Sequence, residues 1–115
     1  MSEVMTSNFF YAPCYKTQMI QLNAQSDDVP RGTIICAADT PDGSYDIVGA
    51  TGYGTPFGIL LKDAPANVAA QPVDVIVFGE LFFDYINGVY KAANSDADIP
   101  DATVLALRQA GILLK

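Results

Sequence analysis

The stretch Gly54–Tyr85 reads GTPFGILLKD (54–63), APANVAAQP (64–72) and VDVIVFGELFFDY (73–85), two apolar strands joined by a loop of small residues. Alternation along the second strand puts Val73, Val75, Val77, Gly79, Leu81, Phe83 and Tyr85 on one face. Asp74, Ile76, Phe78, Glu80, Phe82, Asp84 and Ile86 fall on the other. The first face is apolar throughout and the second is mixed, the period-two pattern of a strand with one face in a core. Gly79 interrupts the run, where a glycine marks a bulge or a close backbone approach. The stretch carries no catalytic constellation, so it predicts a small β-rich module whose business is binding.

Outward from this centre, the C-terminal side predicts a hairpin, a loop, a helix and a last strand. Asn87-Gly88, between Ile86 and Val89-Tyr90, is a strong short-range hairpin signal. Ala92 to Asp98 reads as a polar loop. Asp101–Gly111 is the one clear helix: Pro100 or Asp101 starts it and Gly111 stops it. Val104, Leu105 and Leu107 supply its buried stripe, and Arg108 complements the dipole. Ile112-Leu113-Leu114 then resumes as an apolar strand.

On the N-terminal side, Val29-Pro30-Arg31-Gly32 is a turn and Thr33–Ala38 a β-branched strand. The turn Asp39–Ser44 returns the chain into a short strand, Tyr45–Val48, which completes a hairpin. Residues 1–29 are polar and carry little periodicity, yet hold the rings of Phe9, Phe10, Tyr11 and Tyr15. An extended arm that orders on a partner accommodates both features. The other reading is a first core strand, with Lys16, Gln18, Ile20 and Leu22 in loose alternation.

At 115 residues the chain holds one core. Six basic against thirteen acidic residues give a net charge of −7, which argues against a nucleic-acid partner and against anionic membranes. Histidine is absent, and with it the commonest general base and metal ligand. Cys14 and Cys36 are too few for a structural zinc site and read as free thiols of a cytosolic product. The opening MSEVMTSNFF predicts no signal peptide, and no run reaches the length of a membrane span. The glycines of 49–58 lack the spacing and following helix of a phosphate loop. Asp96, Asp98 and Asp101 lack the frame of a calcium loop. Asp27, Asp28, Asp39 and Asp42 all lie in turn contexts, where Asp serves the backbone, rather than across a glycosidase cleft. The expectation is a non-enzyme without cofactor or metal.

The order of elements carries a resemblance. An N-terminal arm is followed by VPRGTIICAAD (29–39), GTPFGILLKDA (54–64), VIVFGELFFD (75–84) and DATVLALRQAGILLK (101–115). This resembles the head decoration, capsid-stabilising proteins of tailed bacteriophages, the lambda head-stabilising protein-like family. In that family a Gly-Ile-Leu segment follows a turn, a strand closes on Gly-Glu or a similar pair, and several members end in Leu-Arg-x-x-Gly-Ile. Leu107-Arg108-Gln109-Ala110-Gly111-Ile112 matches the last, and the likeness covers residues 30–115. The resemblance implies a mainly β, barrel-like or sandwich-like decoration domain over 30–115, one short C-terminal helix and an extended arm over 1–29. It further implies a homotrimer on the outer capsid surface of the virion. There the arm clamps the major capsid protein against internal DNA pressure. The protein would be made in the host cytoplasm, with no nucleic-acid or membrane partner. The aromatic cluster Phe9, Phe10, Tyr11 and Tyr15 matches no family motif, and chemistry alone makes it the candidate capsid contact. The alternative is a small β-barrel module for a sugar or peptide, with Tyr45, Tyr53 and Tyr90 as its stacking surface.

Overall fold

The computed structural model describes residues 9–115. It is mainly β: a closed five-stranded barrel with two short helices. The strands are β1 (Phe10–Leu22), β2 (Ile34–Ala37), β3 (Tyr45–Ile47), β4 (Thr55–Leu60), β5 (Gln71–Leu81) and β6 (Ile112–Leu114). The helices are α1 (Phe83–Ala93) and α2 (Asp101–Ala110). Around the sheet the order is β1-β3-β2-β4-β5-β6, and β1 returns to pair with β5, which closes the barrel. Only β1–β3, at Leu22 and Tyr45, and β5–β6 are parallel; the other pairings are antiparallel.

β5 is the strand the barrel is built on. One edge takes β1 from Leu22 opposite Gln71 to Phe10 opposite Leu81. The other takes β4 at Val75–Ile76 and, further along, β6 at Gly79–Leu81. Adjacent residues of β2, β4 and β5 feed two separate clusters. Ile35, Leu60, Val73 and Val75 join Ile20 and Leu22 of β1, with Tyr45 and Ile47 of β3 against them, so this cluster fills the barrel. Ile34, Cys36, Ile59 and Ile76 join Ile86 of α1, Leu107 of α2 and Ile112 of β6. Strands covered on both faces lose the polar half of their alternation. This is why IIC, GILL and VIV read as unbroken apolar runs.

The expected single apolar face of β5 is therefore corrected. Ile76, assigned to the mixed face, is fully buried under the helices. Leu81 shares the parity of Val75 but packs with the helical cluster rather than in the barrel. The register slips near the end of the strand: the neighbours Lys16 and Thr17 face Phe78 and Ile76, which leaves Val77 unpaired in the β1 ladder. Gly79 follows at φ 154°, and a Cβ there would stand 3.0 Å from that of Tyr15. The glycine is a close approach at a bulge, which turns the chain end onto the other layer.

Two further expectations change. β5 ends at Leu81, and Phe83–Ala93 is a helix rather than strand and hairpin. Phe83, Ile86 and Tyr90 recur at three and four residues and pack on the helical cluster, so burial of that stripe outweighs the turn preference of Asn87-Gly88. Asn87 instead binds the next loop: its side-chain oxygen accepts the Ile99 N–H at 2.9 Å and its amide donates to Asp98 at 3.0 Å. The module thus has two helices where one was expected. In α2, Pro100 caps the start and Gly111 takes the left-handed conformation at the end, as read from the sequence. Leu105 is exposed, because it falls off the Val104–Leu107 stripe.

The separation of residues 1–29 as an arm is corrected for its described part. Phe10–Leu22 is a barrel strand, and the isolated pairs Gln25–Asn67 and Val29–Ala64 tie the following segment to the β4–β5 loop. Ile20 and Leu22 are buried, as the core-strand reading required. Residues 1–8 lie outside the described residues.

Candidate functional site

The exposed large apolar side chains are concentrated on the β1–β5 ribbon. Tyr11, Tyr15 and Met19 of β1 and Phe78 of β5 are exposed, with only Val68 and Leu105 exposed elsewhere among the described residues. Between Phe10 and Tyr15 the β1 chain advances five residues while β5 advances two, from Leu81 to Gly79. This irregularity lets rings on either side of it meet. Phe10 and Tyr15 stack with centroids 4.3 Å apart.

Three of the four aromatic residues expected to form one contact cluster do meet, Phe9 edge-on to Phe10 at 4.8 Å and Phe10 stacked on Tyr15, but they differ in exposure. Phe9 is fully buried and packs edge-on against Tyr85 at 4.9 Å. It is a core residue, so its assignment as an accessible capsid contact is corrected. Phe10 and Tyr15 form the stacked pair. Tyr11 lies apart, edge-on to Phe82 at 5.3 Å, with the Lys115 ammonium 5.3 Å from its ring.

Sequence reasoning missed the cations beside these rings. The antiparallel bridge from Val29 to Ala64, with N–H···O distances of 2.7 and 2.8 Å, brings the Pro30–Gly32 turn against the Leu61–Asp63 corner. The Asp63 carboxylate then accepts the Arg31 backbone N–H at 2.7 Å. This places the Arg31 guanidinium over the Phe9 ring, 3.9 Å from its centroid and 6.0 Å from that of Phe10. Phe10, Tyr15, Arg31, Leu61, Lys62 and Asp63 line a groove of about 440 Å³. Lys62 and Asp63 also border a neighbouring depression of about 260 Å³ that Met19 lines. The signal available beforehand was composition: in a chain with six cations, two stand in turns that the fold brings together.

The remaining candidates have internal duties. Tyr45 packs against Phe57 at 4.7 Å. The Tyr53 hydroxyl accepts the Asn23 amide at 2.8 Å and lies 2.8 Å from the Ser44 hydroxyl, and Tyr90 packs against the helical cluster. Tyr45 packs on the barrel cluster, whereas Tyr53 and Tyr90 pack on the helical one. Asp28 and Asp39 accept the backbone N–H groups of Ala66 and Gly54. Asp42 accepts from Ser44, whose hydroxyl and backbone N–H hold its carboxyl below the ordinary range. Asp98 pairs with Lys91 at 3.7 Å. Among the described residues no group of three or more His, Cys, Asp or Glu is placed to hold a metal ion. No described helix is long and apolar enough to cross a membrane.

Fold and surface together define a small helix-covered β-barrel with an aromatic, cation-flanked face. No family model and no curated protein matches the chain.

Proposed function

We propose that the chain is a head decoration protein of a tailed bacteriophage. It binds the major capsid protein on the outer surface of the head as a homotrimer and stabilises the shell against internal DNA pressure. The observation that carries this reading is the concentration of exposed large side chains on the β1–β5 ribbon, with the rings of Tyr11, Tyr15 and Phe78 free to meet another protein. Large exposed side chains gathered on one ribbon suit a protein contact, since aromatic side chains dominate the energetics of such contacts. The order of motifs from Val29 to Lys115 supports the same reading, since the Leu107–Ile112 match spans the junction of α2 and β6.

The test is co-sedimentation of purified protein with undecorated, expanded phage heads, followed by thermal challenge of the particles. Saturable binding in multiples of three copies, with a raised temperature of DNA release, is expected. Absence of binding to heads of the phage that encodes the chain overturns the proposal. Tyr15→Ala is expected to weaken binding about tenfold or more, the effect of removing one large interfacial ring.

A further inference from the structure

Arg31 is the described residue whose polar chemistry the fold leaves incomplete. Its Nε is buried and has no hydrogen-bond partner among the described residues. A buried guanidinium N–H without an acceptor is costly, because it has lost water and gained nothing. Stacking on Phe9 at 3.9 Å holds the guanidinium plane in place. Across the same groove stands Lys62, exposed, and neither cation forms a salt bridge among the described residues. The one carboxylate in the groove wall, Asp63, already accepts the Arg31 backbone N–H. An acidic chain has therefore collected an excess of positive charge at this place, next to the apolar platform of Phe10 and Tyr15.

We propose that this groove binds an acidic, extended segment of a partner protein. A carboxylate of the segment sits against Arg31 and Lys62, and a neighbouring apolar side chain lies on the Phe10–Tyr15 stack. The guanidinium fork and a carboxylate match in charge and geometry. The net charge of −7 repels such a segment from the molecule as a whole, so the groove also sets the orientation of docking. The same net charge opposes a nucleic acid, whose phosphates run far beyond the groove. The inference rests on the decoration reading only in placing the segment on the capsid surface; the chemistry of the groove stands apart from it.

The experiment uses the full chain and a dye-labelled peptide of alternating leucine and glutamate, capped at both ends, read by fluorescence anisotropy. A second peptide carries glutamine in place of glutamate. Saturable binding of the glutamate peptide is expected, at least about tenfold tighter than the glutamine peptide, as a charge-assisted contact requires. Raising the salt from about 0.05 to about 0.5 M should weaken it, since the groove is open to solvent. Arg31→Gln and Lys62→Glu should each weaken it about tenfold or more. Arg31 supports Phe9, so its loss also risks the fold; Lys62 is exposed, and the melting temperature of Lys62→Glu should be unchanged. Equal binding of the two peptides, no saturable binding, or unchanged binding by a folded Lys62→Glu overturns the proposal. Preference for a single-stranded oligonucleotide over the glutamate peptide also overturns it. Undecorated heads form the second arm. Heads that bind wild type and Lys62→Glu equally overturn the placing of the segment on the capsid surface and leave the decoration reading in place. Peptide binding without head binding supports the groove and overturns decoration.

Discussion

Cys36 shows how position in the fold decides the chemistry of a residue. Burial under the helices, reinforced by the carboxylates of Asp39 and Asp46, pushes its thiol up to about 11. Cys14 is exposed on β1. A maleimide near neutral pH should therefore modify one thiol per native chain and two after denaturation, read by mass spectrometry; two in the native state would place Cys36 wrongly. The sign of the linked stability is also set. The unfolded chain releases the Cys36 proton from about pH 9 upward while the folded chain retains it, so this group's contribution falls as pH rises from 9.0 to about 11. Gly58 is a second residue with a tertiary reason. A Cβ there would stand 2.3 Å from Val75 Cγ1 and 2.5 Å from the Ile76 carbonyl oxygen, inside the β4–β5 contact. Gly58→Ala should cost about 1–3 kcal/mol, the usual range for overpacking a core, measured by urea unfolding. Phe9→Ala belongs with these: it removes a fully buried ring and should cost about 3–5 kcal/mol of stability. Tyr15, at 43% exposure, is the better probe of binding. Adjacency in sequence made Phe9 and Tyr15 look alike, and only packing separates them.

At the scale of elements, α1 and β1 are the informative pair. α1 contains Gly88 in an exposed position, with nothing within 4 Å of where a Cβ would stand. Gly88→Ala should therefore stabilise the protein by about 1 kcal/mol, through helix propensity and reduced freedom of the unfolded chain. A lowered melting temperature would contradict the helix. Local turn chemistry at Asn87-Gly88 pointed to a hairpin because no short-range signal reports that Phe83, Ile86 and Tyr90 have a sheet to cover. β1 is the converse case. Its exposed middle, from Tyr15 to Met19, hides the strand period, and only Ile20 and Leu22 reveal a core face. Deleting residues 1–22 removes a whole barrel strand and opens β5 along its length. The truncated chain should fail to fold, by circular dichroism and amide dispersion; a folded product would restore the arm reading for these residues. By contrast α2, its stop at Gly111 and the return into β6 were legible, because caps and a short apolar terminus are local signals.

Across the whole molecule, charge is unevenly placed. Of six cations, Lys16 and Lys115 stand over Phe78 and Tyr11, Arg31 over Phe9 and Phe10, and Lys62 lines the groove beside them, with Lys115 also paired to Glu80 of β5 at 3.8 Å. The Asp-rich turns at 39–46 and 96–101 lie elsewhere in the chain. Association through the ribbon should thus weaken with salt, while stability, which rests on two apolar clusters, should change little. By itself the sequence determined the β class, the β2–β3 hairpin, the apolar pair β4 and β5, and the last helix and strand. Each rests on a periodicity or a cap that neighbouring residues carry between them. It also determined the short supply of cations. Tertiary structure decided the rest. Closure of the barrel made a core strand of Phe10–Leu22. The helical cover buried Ile76 and Cys36 and made a helix of Phe83–Ala93. The Val29–Ala64 bridge put Arg31 and Lys62 at one groove. These contacts join different elements of the chain, and no local pattern encodes which faces will meet.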